Sequence, residues 1–150
     1  SQSVLGQEVA APEKIETAYF TAMLPVGFVV KTNTESSTNV QELVQIVAVQ
    51  PKAQGQQIAI TIGQLPADGL AGVSSFALRN KNPNTYLPIE FGGMPANAKL
   101  FNSTNDAVYE ITAFMNRSAL YAVIASSGIS ANQTDTNKNL MSVLTSWTWR

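Results

Sequence analysis

The sequence predicts an α+β fold in which a central antiparallel β-sheet is flanked by helices. Three observations predict it: apolar and polar residues alternate in several short segments, two segments show helical spacing instead, and the connections are short. Short connections favour antiparallel neighbours. Because the strand faces alternate rather than being apolar throughout, a doubly wound parallel sheet with a nucleotide-binding crevice is disfavoured.

The length and composition indicate one folded domain. The chain has 150 residues, of which 45% are hydrophobic and only 13% charged, so it has enough apolar surface to offset the loss of chain entropy. Residues 1–16 are polar and small and show neither strand nor helix periodicity. We expect a polar N-terminal arm or tether over residues 1–16 and a single domain over residues 17–150.

Four strands are predicted in the first half of the chain. Alternation over residues 17–24, turn chemistry at Pro25-Val26-Gly27 and an extended run over residues 28–31 predict a first hairpin. A third strand is predicted over residues 43–50 from its β-branched content. The clearest alternation in the chain predicts a fourth strand whose core-facing residues are Ile58, Ile60 and Ile62.

The middle of the chain is less regular. Helical spacing follows Asp68, which could cap the amino terminus of a helix. The residues at that spacing are Leu70, Val73, Phe76 and Ala77. Alternation at Leu87, Ile89 and Phe91 predicts another strand, and residues 98–101 extend the pattern briefly.

A second hairpin and a closing helix are predicted in the last third. The hairpin comprises residues 107–115 and 119–126, and Asn116 is suited to the left-handed conformation of its turn. One face of its first strand carries Tyr109, Ile111, Ala113 and Met115. The helix is predicted from apolar residues at i, i+3, i+4 and i+7, with Thr134 or Asp135 as its cap. Those apolar residues are Leu140, Val143, Leu144 and Trp147.

Several of these segments resemble one known family. The segment Tyr19–Phe28, which ends in Pro25, Gly27 and Phe28, is similar to the opening of the PsbP-like domains (PsbP and DcrB-like proteins). The Asn116-Arg117-Ser118 turn and residues 140–149 look like that family's last hairpin, last helix and aromatic ending. The resemblance covers most of residues 17–150.

This resemblance implies an α/β/α sandwich in a membrane-tethered, non-catalytic protein that binds other proteins. It implies an extracytoplasmic location, which is periplasmic, lumenal or at the cell surface. It carries over no functional residue, because the similar positions are core and turn residues. The chain begins Ser1-Gln2-Ser3 without a methionine, and we expect a signal peptide or membrane anchor to have preceded it.

Composition also excludes several kinds of chemistry. Cysteine and histidine are both absent, which removes disulfides, thiolate or imidazole zinc sites and Ser-His-Asp arrangements. Calcium and nucleotide loops are missing from the sequence as well. The sequence therefore predicts no catalytic, cofactor-binding or metal-binding residues and no cofactor. Ligand-binding residues cannot be assigned from it.

Two alternatives to a binding or scaffolding domain remain open. One is a carrier of a small molecule or lipid in a cavity between sheet and helix, for which the aromatic candidates are Tyr86, Phe91, Phe101, Trp147 and Trp149. The other is a carboxylate-based hydrolase, which would need two acids close together. Its candidates are Glu42, Asp68, Glu90, Asp106, Glu110 and Asp135.

Charge and hydropathy limit the kinds of partner that we expect. The net charge is −1, and the 9 basic residues are scattered rather than clustered, so nucleic acid is not an expected ligand. No segment approaches the roughly 20 apolar residues of a membrane span, so membrane attachment would require a segment outside this chain. We expect protein partners in the cell envelope and a monomeric state.

Overall fold

A computed structural model describes residues 11–36, 38–40, 42–53, 55–69, 82–83 and 98–150. In these residues ten strands form two antiparallel sheets, with one α-helix. The strands are β1 (Lys14–Glu16), β2 (Phe20–Met23), β3 (Val29–Glu35), β4 (Val44–Val49), β5 (Gln57–Gln64), β6 (Asn82–Pro83), β7 (Lys99–Asn105), β8 (Val108–Arg117), β9 (Leu120–Ile129) and β10 (Thr148–Trp149). The helix α1 spans Gln133–Ser146 and follows a 3₁₀ turn, Ser130–Asn132.

The larger sheet has seven strands in the order β3-β4-β5-β9-β8-β7-β6, and the smaller has the order β1-β2-β10. Every described pairing is antiparallel. The α+β class and the antiparallel sheet predicted from the sequence are therefore confirmed. The helix predicted after Asp68 and the strand predicted at Leu87, Ile89 and Phe91 lie outside the described residues.

One face of the seven-stranded sheet carries the main core, and we call it the inner face. The predicted isoleucines of β5 are buried there, as are alternate residues of β8, because side chains two apart on a strand share a face. Their exposed fractions are at most 1% for Ile58, Ile60, Ile62, Tyr109, Ile111, Ala113 and Met115. The second predicted hairpin and the predicted face of its first strand are thus confirmed.

Helix α1 packs on this face through the residues that its spacing predicted. Leu140, Val143 and Leu144 are at most 1% exposed. Trp147 is also buried, but it ends the helix in an extended conformation instead of continuing it. Among the described residues no helix is long and apolar enough to cross a membrane.

Polar side chains fix the first half of α1 to the sheet. The hydroxyl of Ser126 donates to the carbonyl of Thr136 at 2.8 Å, and the Asn139 amide donates to Gln56 Oε1 at 2.7 Å. The Tyr109 hydroxyl donates to Asn137 Oδ1 at 2.8 Å. These bonds satisfy polar groups that the contact would otherwise bury unpaired.

The first predicted hairpin is wrong in its pairing. Strand β2 pairs with β1 and β10, whereas β3 pairs with β4 in the other sheet. The turn that Pro25 and Gly27 indicated does form, since the Phe28 amide donates to the Pro25 carbonyl at 3.2 Å. It carries the chain from one sheet to the other. Leu24 and Phe28, on either side of the turn, are both buried in the core that the two sheets share.

Three local predictions also differ from the structure. The end of the predicted arm is the paired strand β1, whose Ile15 is 3% exposed. The positive φ of the second hairpin belongs to Ser118 at 54°, while Asn116 remains paired within β8, because the strands continue further than their alternation indicated. Helix α1 begins after Asn132 without a side-chain cap, so neither Thr134 nor Asp135 caps it.

Candidate functional site

The candidate carboxylates are dispersed over the described fold. Glu42 precedes β4, Asp68 lies in the turn after β5, and Asp135 lies in the first turn of α1. An acid in the first turn is favoured by the helix dipole, which accounts for Asp135 without a functional role. Glu90 lies outside the described residues.

Asp106 and Glu110 are the two candidates that line one depression. It has a volume of about 560 Å³, and Ser103, Ala107 and Val108 complete its lining. Asp106 is exposed in the tight turn between β7 and β8, with φ at 56°. In the described part of the chain, no group of three or more acidic residues could hold a metal ion. The depression therefore provides two carboxylates and the residue Ser103 as its polar lining.

The aromatic candidates are structural where they are described. Phe101 packs against a small cluster on the second face of the sheet, which contains Phe114, Tyr121 and Val123. Trp147 stacks on Phe20, and the ring of Trp149 meets Trp147 edge-on, with centroids 5.3 Å apart. Tyr86 and Phe91 lie outside the described residues. The described candidates therefore pack against the two apolar clusters of the fold.

A groove lies where three segments of the chain meet. We call it the loop groove; its volume is about 550 Å³. The turn between β2 and β3 provides its apolar centre, and the segments before β1 and after β4 provide the sides. It is lined by Ala11, Glu13, Val26, Gly27, Phe28, Val29, Gln50, Pro51 and Lys52.

Gln50 holds two of these segments together. Its Nε2 donates to the Val26 carbonyl at 3.2 Å, and its Oε1 accepts from the Lys52 amide at 3.2 Å. Gly27 makes this possible for two reasons. Its φ is +94°, which favours glycine, and a Cβ at this position would overlap the Gln50 side-chain amide. The groove is thus fixed by a local hydrogen-bond arrangement, with Glu13 and Lys52 as its charged members.

Exposed apolar side chains collect at the same end of the seven-stranded sheet. The register connects Val29 to Val49, Val49 to Gln57, Gln57 to Ser127 and Ser127 to Glu110. The pair formed by Val108 and Ile129 lies two residues further along β8 and β9. We call Val26, Val29, Val108 and Ile129 the apolar rim; their exposed fractions are 53%, 44%, 52% and 42%.

The sequence did not indicate this surface. Its residues come from five separate segments of the chain, and each valine or isoleucine is an ordinary strand or turn residue on its own. The signal that was available was Gly27 after Pro25, which indicates a turn but not what surrounds it. Only the register of the sheet brings the loop groove and the apolar rim to one end.

Comparisons with known proteins show a similar fold. No family model matches the sequence, and no curated protein matches it. The structure is similar to the solution structure of cyanobacterial PsbP (CyanoP) from Synechocystis sp. PCC 6803, with a TM-score of 0.55 and 11% sequence identity. The match covers 99% of this chain and 98% of that one. At this identity the similarity shows the fold alone: the chain has a PsbP-like fold.

Proposed function

We propose that this chain is a non-catalytic binding or scaffolding domain that works outside the cytoplasm and binds a protein partner through the apolar rim and loop groove. The observation that carries the proposal is that four exposed aliphatic residues lie at one end of the sheet in two pairs, Val26 with Val29 at the loop groove and Val108 with Ile129 beyond β4 and β5. Grouped exposed apolar side chains are typical of interaction sites, whereas scattered ones need no explanation.

The chemistry of the chain supports a binding role. The whole sequence lacks histidine and cysteine, which are the usual general bases and nucleophiles. The described carboxylates are dispersed over the fold, apart from Asp106 and Glu110, which line one shallow surface depression. The interior between α1 and the sheet is filled by side chains such as Leu140, Leu144 and Ile60, so it favours a packed core over a carrier's cavity.

The resemblance to PsbP-like domains supports the location. It implies an extracytoplasmic domain that is tethered to a membrane. A test is to express the full-length gene in its source cell and to treat intact and permeabilised cells with protease. We expect cleavage without disruption of the inner membrane, and retention of the protein in the membrane fraction. Protection from protease until the cytoplasm is opened would contradict the proposed location.

The binding surface is tested by site-specific photocrosslinking in the cell envelope. A photoreactive residue replaces Val26 or Val108 on the apolar rim, and Val40 serves as the matched control. Val40 is 47% exposed and lies at the other end of the sheet, where its carbonyl accepts from the Gln64 amide. We expect a discrete protein adduct from Val26 and Val108 and none from Val40. Equal labelling at all three positions, or none at the rim, would reject this surface.

A further inference from the structure

Strand β3 has an open edge. It is the terminal strand of the seven-stranded sheet in the described part of the chain, and its only strand neighbour there is β4. Every residue from Lys31 to Glu35 is exposed. The backbone N–H and C=O groups along such an edge are available to another extended segment.

The sequence of this edge is self-complementary. The register with β4 shifts between Val30 and Thr32, and β3 ends at Glu35. The segment between these limits is Lys31-Thr32-Asn33-Thr34-Glu35. It reads the same in both directions except that its ends carry opposite charges.

A two-fold axis through Asn33 uses this symmetry. Two antiparallel copies of β3 related by that axis place Thr32 of each copy opposite Thr34 of the other. The same register places Lys31 of each copy opposite Glu35 of the other. Thr–Thr pairs and opposite charges are both favourable directly across an antiparallel pair.

The two charges cannot satisfy each other within one chain. Three residues of extended strand lie between Lys31 and Glu35, so the two backbone positions are four residue rises, or about 13 Å, apart. Among the described residues the one ion pair joins Lys14 and Glu16, at 3.7 Å. A second copy of the same strand supplies the complementary charge to both ends at once.

We propose that β3 is a homodimerisation strand that joins the seven-stranded sheets of two copies edge to edge. This replaces the monomer expected from the sequence. The paired segment, residues 31–35, adjoins the proposed binding surface, because Val29 of the same strand belongs to the apolar rim. The contact comprises about five residues of each copy, which is smaller than the roughly 1,000 Å² of a stable interface. The dimer is therefore weak, with a Kd above about 1 µM.

A competing explanation makes the opposite prediction. A β-bulge and an exposed lysine are devices by which edge strands avoid pairing. If Lys31 serves only that purpose, then replacing it strengthens association. If Lys31 pairs with Glu35 of a second copy, the Lys31→Glu substitution weakens association, because each symmetric contact then brings two carboxylates together.

Sedimentation equilibrium on the purified chain decides between them, over a range from about 10 µM to about 1 mM. We expect the wild-type mass to rise with concentration towards that of a dimer. Lys31→Glu and Glu35→Lys should each weaken association by at least about tenfold, because both symmetric contacts become repulsive pairs of like charges. Association should return in the double variant and in an equimolar mixture of the two single variants, where opposite charges face each other again.

Lys99→Glu is the matched control, since Lys99 is an exposed strand lysine on β7, away from β3. It should leave the dimer unchanged. Hydrogen exchange gives an independent readout: amides within residues 32–34 should gain protection with concentration in the wild type but not in Lys31→Glu. The proposal is overturned by a wild type that stays monomeric, by a Lys31→Glu variant that associates as tightly as the wild type, or by protection elsewhere than β3.

Discussion

The indole ring of Trp147 stacks on the phenyl ring of Phe20, with the centroids 4.0 Å apart and the planes 7° from parallel. This contact joins the end of α1 to the middle strand of the smaller sheet. Both residues are buried, at 8% and 0% exposure. The indole Nε1 is buried as well and has no hydrogen-bond acceptor among the described residues.

Substitution of Trp147 separates the packing of the indole from its polar group. Trp147→Ala should lower the free energy of unfolding by about 3–5 kcal/mol, because a large buried ring is lost. Trp147→Phe should cost less than about 2 kcal/mol, since it keeps a ring on Phe20 and removes the unpaired N–H. Urea unfolding followed by circular dichroism measures both. A phenylalanine variant as unstable as the alanine variant would contradict this explanation.

Gly128 allows α1 to approach β9 closely. A Cβ at this position would lie 2.6 Å from Thr136 Oγ1, so either the strand or the threonine would have to move. Gly128→Ala should therefore destabilise the fold by about 1–3 kcal/mol. In a Thr136→Ala background, which lacks that oxygen, the same change should cost less. A double-mutant cycle by chemical denaturation checks this, and simple additivity of the two changes would refute the steric origin.

Gly27 and Gly69 form a matched pair for testing the loop groove. Both have positive φ, +94° and +64°, but a Cβ at Gly69 would meet no atom of the described residues within 4 Å. Gly69→Ala should cost only the backbone strain, about 1–2 kcal/mol. Gly27→Ala should cost at least about 1 kcal/mol more, because it also displaces Gln50 from the Val26 carbonyl. Thermal or urea unfolding compares them, and equal losses would show that Gln50 contributes nothing.

The raised pKa of Tyr121 predicts that the free energy of unfolding falls at alkaline pH. Burial raises the pKa of its phenol above the ordinary value of 10.0, and the charge of Glu42 raises it further. A raised pKa in the folded state means that the stabilisation is fully present below about pH 10, where the unfolded phenol begins to ionise. The stabilisation is then lost as the pH rises through the pKa of the folded state. Tyr121→Phe should therefore flatten the decline of the unfolding free energy above pH 10.

This decline is measured by urea unfolding at several pH values between about 8 and 11. Glu42→Gln is the accompanying control, because it removes the smaller electrostatic cause and leaves the burial. It should lower the pKa of Tyr121 towards its ordinary value, which an ultraviolet titration of the folded protein detects. An unchanged slope in Tyr121→Phe would mean that other groups cause the alkaline loss.

Elements with a strong local pattern could be predicted from the sequence. The isoleucines of β5, the hairpin of β8 and β9, and the leucines of α1 all alternate or repeat at a fixed period, because each element buries one face. The sequence could not predict that β2 and β3 belong to different sheets. A turn at Pro25 and Gly27 reverses the chain in the same way whether or not the flanking strands pair with each other.

The smaller sheet was beyond prediction for another reason. Strand β10 has two residues and β1 has three, so neither is long enough to show alternation. Their pairing with β2 depends on tertiary packing, above all on Trp147 and Phe20. The candidate site could not be predicted for a similar reason, since the loop groove and the apolar rim form only when distant segments of the chain are brought together.

The register of that small sheet has a consequence for biosynthesis. Thr148 and Trp149 pair with Thr21 and Phe20. Strand β2 therefore cannot complete its pairing until residues more than one hundred positions later have been translated. Strand β2 keeps an unpaired side until position 149 has left the exit tunnel. Contacts this distant in sequence form slowly, and arrested translation in the final turn of α1 would leave Phe20 without its aromatic partner.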